Sequence, residues 1–174
     1  MTLNWICFSV LMSMVMMAMI SNGQTPCDPG SWLPIIPTPN LTIALFQCSV
    51  VFGDKEANLG QLSDMASRAA RVFKAQLIVV PELYLVGYHN FTIEQIHLIA
   101  ETNKGESFQK VAKIAVTNNI GIVYSYIEID EGGLVYDSAM LVSNQGEQLI
   151  NYRKVHLIGD ENYVFTAGFV LGAV

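Results

Sequence analysis

Two glutamates and one lysine occupy positions from which side chains could take part in acid–base chemistry. Glu82 directly follows an apolar run and Pro81, Lys154 lies in the stretch Asn151–Leu157, and Glu161 follows in a polar turn. A carboxylate in a partly desolvated position has a raised pKa that suits a general base. A lysine in a water-poor site can stabilise an oxyanion or a tetrahedral centre. These residue types would therefore support attack on an activated carbon.

Each of these residues also has a purely structural interpretation. Glu82 can cap a helix or form a salt bridge at the start of a loop, and local sequence supports this as well as it supports a base. Arg153 and Lys154 can protect an edge strand against aggregation, and this is the better local interpretation of the two cations. Glu161, taken alone, is a polar turn residue. The sequence around each residue leaves these alternatives open.

Several other kinds of site are not predicted. His89, His97 and His156 lack metal-ligand spacing, and the mature chain has only Cys27 and Cys48, so we expect no metal site. These two cysteines can pair in an oxidising compartment, or Cys48 can remain a buried free thiol. The chain has no phosphate-binding glycine loop and no serine nucleophile elbow, and we expect no cofactor. A net charge of −6 with scattered cations argues against binding to nucleic acid.

The elements that must position Glu82 form a strand–helix–strand pattern. Residues 41–51 are a near-continuous apolar run, which predicts a strand buried on both faces. Residues 56–74 predict an amphipathic helix with a buried stripe of Leu59, Leu62, Ala66, Ala69 and Phe73. Residues 76–80 predict a second buried strand, so the sheet should be parallel here. Glu82 then leaves the carboxyl end of that strand, where open α/β sheets place their ligands.

The rest of the chain predicts two helices and an antiparallel extension of the sheet. In order, we expect a short helix at 91–102, a helix at 105–118, and strands at 121–130, 134–143 and 147–155, with a hairpin turn at Glu131–Gly133. In the last strand, Ile150, Tyr152 and Lys154 should share one face. The predicted domain covers residues 41–174.

The beginning of the chain predicts secretion. Residues 1–23 lack charged side chains, are largely apolar and end with Ser21 and Gly23, as a secretory signal peptide does. An uncleaved membrane anchor is the alternative. Five of the six prolines lie in residues 24–40, which predicts an extended lead-in. Glycosylation sequons at Asn40 and Asn90 agree with a secreted glycoprotein.

Two segments of the chain together resemble a known family. The sequences PELYLVGYH at 81–89 and NYRKVHLIGDENYVFTAG at 151–168, with the hairpin residues 136–139 and the turn 145–147 between them, resemble the nitrilase superfamily of carbon–nitrogen hydrolases. The resemblance runs from about Leu41 to the end of the chain. It implies an α/β fold of the α-β-β-α sandwich type, truncated here before the strand that carries the nucleophile.

The resemblance also implies roles for individual residues. Glu82 corresponds to the general base of a Glu-Lys-Cys site, Lys154 to the lysine that stabilises the tetrahedral intermediate, and Glu161 to a second glutamate that positions the lysine and substrate. Glu128 matches, more loosely, a further acid near the site. The implied reaction is attack of a cysteine thiolate on a small amide or nitrile, loss of ammonia or an amine, and hydrolysis of a thioester. Homodimers are common in the family and are an open alternative here.

The nucleophile has no counterpart in this sequence. The family's cysteine follows the lysine on a later strand, whereas no cysteine follows Cys48 here. We therefore expect the chain as given to be inactive. One hypothesis is an amidase-like secreted hydrolase represented by its N-terminal portion; the alternative is a non-catalytic secreted binding protein on the same fold. The apolar ending at 169–174 favours the first, because it would leave hydrophobic sheet uncovered.

Overall fold

The computed structural model describes residues 40–88 and 91–169. The predicted signal peptide, residues 24–39 of the lead-in, Asn90 and the last five residues lie outside this described part. The chain divides into a unit of residues 1–41 with 173–174, of which only Asn40 and Leu41 are described, and a unit of residues 42–172. The second unit contains the whole fold below. Asn40, the other predicted glycosylation site, is exposed.

The described part of the chain is organised around one five-stranded sheet whose strands follow each other in space as they do in sequence. The strands are β1 (Ile43–Leu45), β2 (Leu77–Val79), β3 (Gly121–Ile129), β4 (Val135–Val142) and β5 (Gln148–Arg153). β1, β2 and β3 pair in parallel, and β3, β4 and β5 pair antiparallel. This arrangement confirms the predicted α/β class, the parallel start of the sheet and its antiparallel extension.

Among the residues that the structure describes, four helices accompany the sheet: α1 (Lys55–Phe73), α2 (Ile93–Ile99), α3 (Glu106–Asn118) and the single-turn α4 (Glu161–Val164). α1 begins where Asp54 accepts a hydrogen bond from the Ala57 N–H at 2.9 Å. Its stripe of Leu59, Leu62, Ala66 and Ala69 is buried as predicted, whereas Phe73 at the helix end is 58% exposed. Neither α1 nor any other helix of the described residues is long and apolar enough to cross a bilayer.

The first strand is much shorter than predicted. Pairing with β2 ends near Leu45, and the predicted burial on both faces is wrong, because Leu45 is 53% exposed. β1 is the edge of the described sheet, and the residues that follow it alternate between packing on the core and facing outward. Phe46, Cys48 and Val50 pack inward. Cys48 is half-buried outside any strand and is a free thiol among the described residues, whereas Cys27, with which the sequence leaves pairing open, lies outside them.

The register of β3, β4 and β5 separates two sets of polar side chains. Residues directly opposite each other in a sheet share a face. One face therefore carries Glu128, Tyr136, Tyr126, Ser138 and Arg153. The other face carries Asp137 and Ala139, which lie two residues apart on β4. Tyr152 lies on the same face, because it pairs with Ala139. The Lys154 N–H donates to the Asp137 carbonyl at 2.9 Å, which extends the pairing by one residue and places Lys154 on the same face as Asp137.

Candidate active site

The Lys154 ammonium lies within reach of three buried carboxylates. Its Nζ donates to Glu82 Oε1 at 2.6 Å and to Glu161 Oε1 at 2.8 Å. Asp137 Oδ2 lies 3.5 Å from the same nitrogen. All four side chains are 9% exposed or less. The structure thus brings together the three residues singled out in the sequence and adds Asp137, which sequence reasoning placed only in a hairpin.

Glu82 is positioned by the segment that leaves β2. Ser125 on β3 fixes this segment, because its hydroxyl donates to the Pro81 carbonyl at 2.8 Å and accepts from the Tyr84 N–H at 3.2 Å. Leu83, next to Glu82, adopts a φ of 47°. A left-handed conformation costs a residue with a Cβ about 1–2 kcal/mol. The chain therefore accepts local strain beside the proposed base, as functional sites often do.

A buried asparagine on α1 holds the segment after β2 through hydrogen bonds. Asn58 is fully buried and donates through Nδ2 to the carbonyls of Leu85, at 3.0 Å, and Val51, at 2.8 Å. Its backbone carbonyl accepts the Tyr84 hydroxyl at 2.7 Å. These bonds satisfy buried groups that no strand pairs. Sequence reasoning missed Asn58; the available signal was a polar residue inside the buried stripe of an otherwise regular helix.

Lys154 and Glu161 are held by the turn that follows β5. The Gly168 N–H donates to the Lys154 carbonyl at 2.9 Å. A Cβ at Gly168 would lie 2.4 Å from the Arg153 carbonyl oxygen, so only glycine allows this close approach. Glu161 Oε2 accepts the Ile158 N–H at 2.9 Å, and its Oε1 accepts the Tyr88 hydroxyl at 2.9 Å. Glu161 therefore links the lysine to the loop after β2.

The charges in this cluster set its protonation. Burial alone would lower the pKa of Lys154, but hydrogen bonds to Glu161 and Glu82 outweigh it, so the pKa is raised and the ammonium stays charged. Burial raises the pKa of Glu161. The hydrogen bonds from Lys154, the Ile158 N–H and Tyr88 lower it by more, so the pKa of Glu161 is lowered overall. Glu82, Asp137 and Glu161 lie close enough to hold a cation. The Lys154 ammonium already supplies that positive charge.

Glu128 lies on the opposite face of the sheet and has its own partners. It is 1% exposed and accepts from Ser138 Oγ at 2.6 Å, Asn151 Nδ2 at 2.8 Å and Arg153 Nη2 at 2.6 Å. The Arg153 guanidinium also lies 3.9 Å from the centroid of the Tyr136 ring. The structure does not bring Glu128 to Lys154. Both cations pair with buried carboxylates, and Lys154 is itself buried, so its interpretation as a charge that protects the edge strand is wrong.

Arg153→Met is expected to destabilise the fold by about 2–3 kcal/mol. Loss of one partner of a buried ion pair costs about 3–5 kcal/mol; we expect less because Ser138 and Asn151 still bind Glu128 and Arg153 is 34% exposed. The pKa of Glu128 is lowered against the effect of burial by its partners, Arg153 first. The stability from this pair is therefore present above the ordinary glutamate pKa and lost as pH falls through the lowered value.

Urea unfolding of wild type and Arg153→Met at neutral and acidic pH measures this effect. The difference in unfolding free energy should shrink in acid, where Glu128 takes up a proton. Arg71→Met is the matched control, because Arg71 is exposed on α1. A loss no larger than that of the control would show that Arg153 does not stabilise Glu128.

Known proteins share this sequence pattern and fold. The family model described as carbon-nitrogen hydrolase matches residues 42–169. A Pseudomonas protegens protein described as a hydrolase in the pqqF 5′ region is 38% identical over 129 residues, which are 74% of this chain and 44% of that protein. A Staphylococcus aureus hydrolase in the agr operon is 25% identical over 130 residues, 74% of this chain and 48% of that protein. The chain spans about half the length of these relatives.

Solved amidase structures have the same fold over the matched region. An amidase of the nitrilase superfamily from Nesterenkonia AN1 superimposes with a TM-score of 0.63 at 28% identity, covering 78% of this chain and 51% of that one. Another of its structures shows acrylamide added to the active-site cysteine, and a further one is a complex with butyramide. The family match covers most of the described residues, and the fold agrees with it. The chain belongs to the carbon-nitrogen hydrolase family, within the nitrilase superfamily.

Proposed function

We propose that this chain is part of an amidase that hydrolyses small amides through a Glu-Lys-Cys mechanism. The observation that carries the proposal is the buried Lys154 ammonium, hydrogen-bonded by Glu82 at 2.6 Å and by Glu161 at 2.8 Å. An ammonium has three donors, so two are used and one remains for a substrate oxygen. A cation fixed in this way stabilises developing negative charge without reorganisation during the reaction.

The proposed reaction uses these groups in sequence. Glu82 takes the proton of a cysteine thiol, and the thiolate attacks the amide carbon. Lys154 stabilises the oxyanion of the tetrahedral intermediate, and Glu161 keeps the lysine in place. Glu82 then gives its proton to the leaving nitrogen, which departs as ammonia and leaves a thioester. Water, deprotonated by Glu82, attacks the thioester and releases the carboxylic acid and the thiol.

We propose that residues beyond position 174 supply the cysteine. No cysteine follows Cys48 in this sequence. Cys48 itself is a poor candidate, because it packs on the core before β2 and burial raises its pKa, which lowers the thiolate fraction. The Nesterenkonia amidase has an active-site cysteine, and this chain covers about half of it. A longer protein with a cysteine on a following strand would complete the site.

The test is ammonia release by the full-length protein from butyramide and, for comparison, from butyronitrile. We expect hydrolysis of the amide, because the structural relatives named above are amidases. The nitrile is included because a relative from Pyrococcus abyssi is described as a nitrilase. Preference for the nitrile would overturn the choice of substrate and keep the reaction class. A folded full-length protein without a cysteine after Lys154, and without ammonia release, would support the non-catalytic binding protein instead.

Secretion, glycosylation and pairing into dimers remain proposals. They rest on the apolar residues 1–23, on the sequons at Asn40 and Asn90, and on the resemblance to the family. The exposed position of Asn40 is compatible with a glycan. Attachment to a membrane is proposed only for a form in which residues 1–23 are not cleaved.

A further inference from the structure

Asp137 brings a carboxyl oxygen without a hydrogen bond into the centre of the site. The side chain lies on β4 and is 5% exposed. Among the described residues, no donor forms a hydrogen bond with its Oδ2. This oxygen lies 3.5 Å from Lys154 Nζ, and one oxygen each of Glu82, Asp137 and Glu161 lie within 4.8 Å of one another. An ionised carboxylate in such a place is costly unless it is fully paired.

The charges around Asp137 do not balance if every acid is ionised. Glu82 faces it from the segment after β2, Lys154 from the end of β5 and Glu161 from α4, while Tyr88 reaches the cluster through Glu161. Within residues 40–88 and 91–169, three carboxylates would face one ammonium, whose nearest contacts are Glu82 and Glu161. The other neighbouring ions, Glu128 and Arg153, lie on the opposite face and pair with each other. One proton on an acid would reduce the excess negative charge.

We propose that Asp137 carries this proton in the resting enzyme and donates it in a hydrogen bond to Glu82, as a positioning residue that leaves Glu82 able to act as the base. A protonated carboxyl group is a hydrogen-bond donor, and the nearby carboxylate of Glu82 is its acceptor. Lys154 already holds one oxygen of that carboxylate through a hydrogen bond. Burial, followed by the negative charge of Glu82, raises the pKa of Asp137 well above its ordinary value, in agreement with this assignment. The proposal rests on the proposed function, in which Glu82 is the base.

The proton on Asp137 has a consequence for the pH dependence of hydrolysis. When Asp137 ionises, its repulsion of Glu82 and its attraction to Lys154 disturb the hydrogen bonds that hold both groups. Hydrolysis should therefore fall on the alkaline side of the pH profile. Asparagine has the same shape as the protonated aspartate and stays neutral. In Asp137→Asn, the decline of activity at high pH should therefore move to a higher pH by about one unit or more, since neighbouring charges commonly shift a pKa by that much.

The direct test is carbon NMR of the full-length protein labelled at the aspartate carboxyl carbon. One aspartate should titrate well above the ordinary value of about 3.9. Its signal should be absent in Asp137→Asn, and its midpoint should fall in Glu82→Gln, where the neighbouring charge is removed. If every aspartate titrates near this ordinary value, the proposal is wrong. Should Asp137→Asn not fold, the shift in Glu82→Gln decides.

The kinetic test compares pH profiles of amide hydrolysis for wild type, Asp137→Asn and Asp64→Asn. Asp64 is exposed on α1 and provides the same chemical change away from the site. A folded Asp137→Asn with the alkaline limb of wild type contradicts the proposal. Wild-type protein without hydrolysis overturns the proposed function alone, because the NMR titration does not depend on turnover and still decides where the proton lies.

Discussion

Replacing Lys154 with methionine is expected to abolish amide hydrolysis and to destabilise the fold by about 3–5 kcal/mol. The side chain is 9% exposed and binds Glu82 and Glu161. Methionine is similar in length but cannot donate, so buried carboxylates lose their common cation. The pKa of Glu161 is lowered by its partners, with Lys154 as the largest of these, against the effect of burial. The stability from this contact is thus present above the ordinary glutamate pKa and lost as pH falls through the lowered value.

Guanidinium unfolding and ammonia release measure the two effects separately. Lys113→Met on the exposed side of α3 is the control for the change of residue type. The double variant Lys154→Met with Glu161→Gln should recover part of the lost stability, since it removes one of the orphaned charges. Retained turnover in Lys154→Met would refute the catalytic role. A loss of stability equal to that of the control would refute the structural one.

Replacing Glu82 with glutamine is expected to lower kcat by about 10²–10⁴-fold while leaving the fold nearly intact. General acid–base catalysis contributes this range, and a neutral amide cannot take a proton from a thiol. The amide oxygen of glutamine can still accept the Lys154 hydrogen bond that Glu82 Oε1 accepts at 2.6 Å. The variant therefore separates chemistry from structure better than any change at Lys154.

Single-turnover and steady-state kinetics with butyramide test this prediction, and thermal unfolding confirms that the variant is folded. Glu94→Gln is the matched control, because Glu94 is exposed on α2. We expect the control to behave as wild type. If kcat of Glu82→Gln is lower than that of wild type by less than about tenfold, the loss is smaller than the usual effect of removing a general base. Another group would then deprotonate the nucleophile.

Together the two variants distinguish an active site from a structural ion cluster. In a hydrolase, Glu82→Gln loses turnover and keeps its stability, while Lys154→Met loses both. In a binding protein on this fold, neither variant has turnover to lose, and the cluster would matter only for stability.

Local patterns in the sequence were sufficient for most elements of the fold. The three- and four-residue spacing of Leu59, Leu62 and Ala66 predicted the buried face of α1, since one face of a helix repeats every 3.6 residues. The glycines of the turn at 131–133 predicted the β3–β4 hairpin, which the structure confirms. The apolar run 41–51 misled, because an apolar sequence does not indicate whether another layer of the structure covers each face of the strand.

Long-range contacts decided what local patterns could not. Lys154 and Glu82 are 72 residues apart in sequence, and only the resemblance to a family suggested that they meet. Glu128 and Asp137 have similar surroundings in sequence, yet the sheet register puts them on opposite faces. Nothing near Asp137 in the sequence predicts that it lies beside Lys154.

The sequence by itself thus determined the α/β class, the principal helices and strands, and the identity of one lysine and two glutamates as candidates. The tertiary structure alone decided that Asp137 joins them and that Arg153 neutralises Glu128 elsewhere. The physical reason is that periodicity reports which side of an element is apolar. The charge balance of a buried site depends on which elements pair, in which register, and how close their side chains then lie.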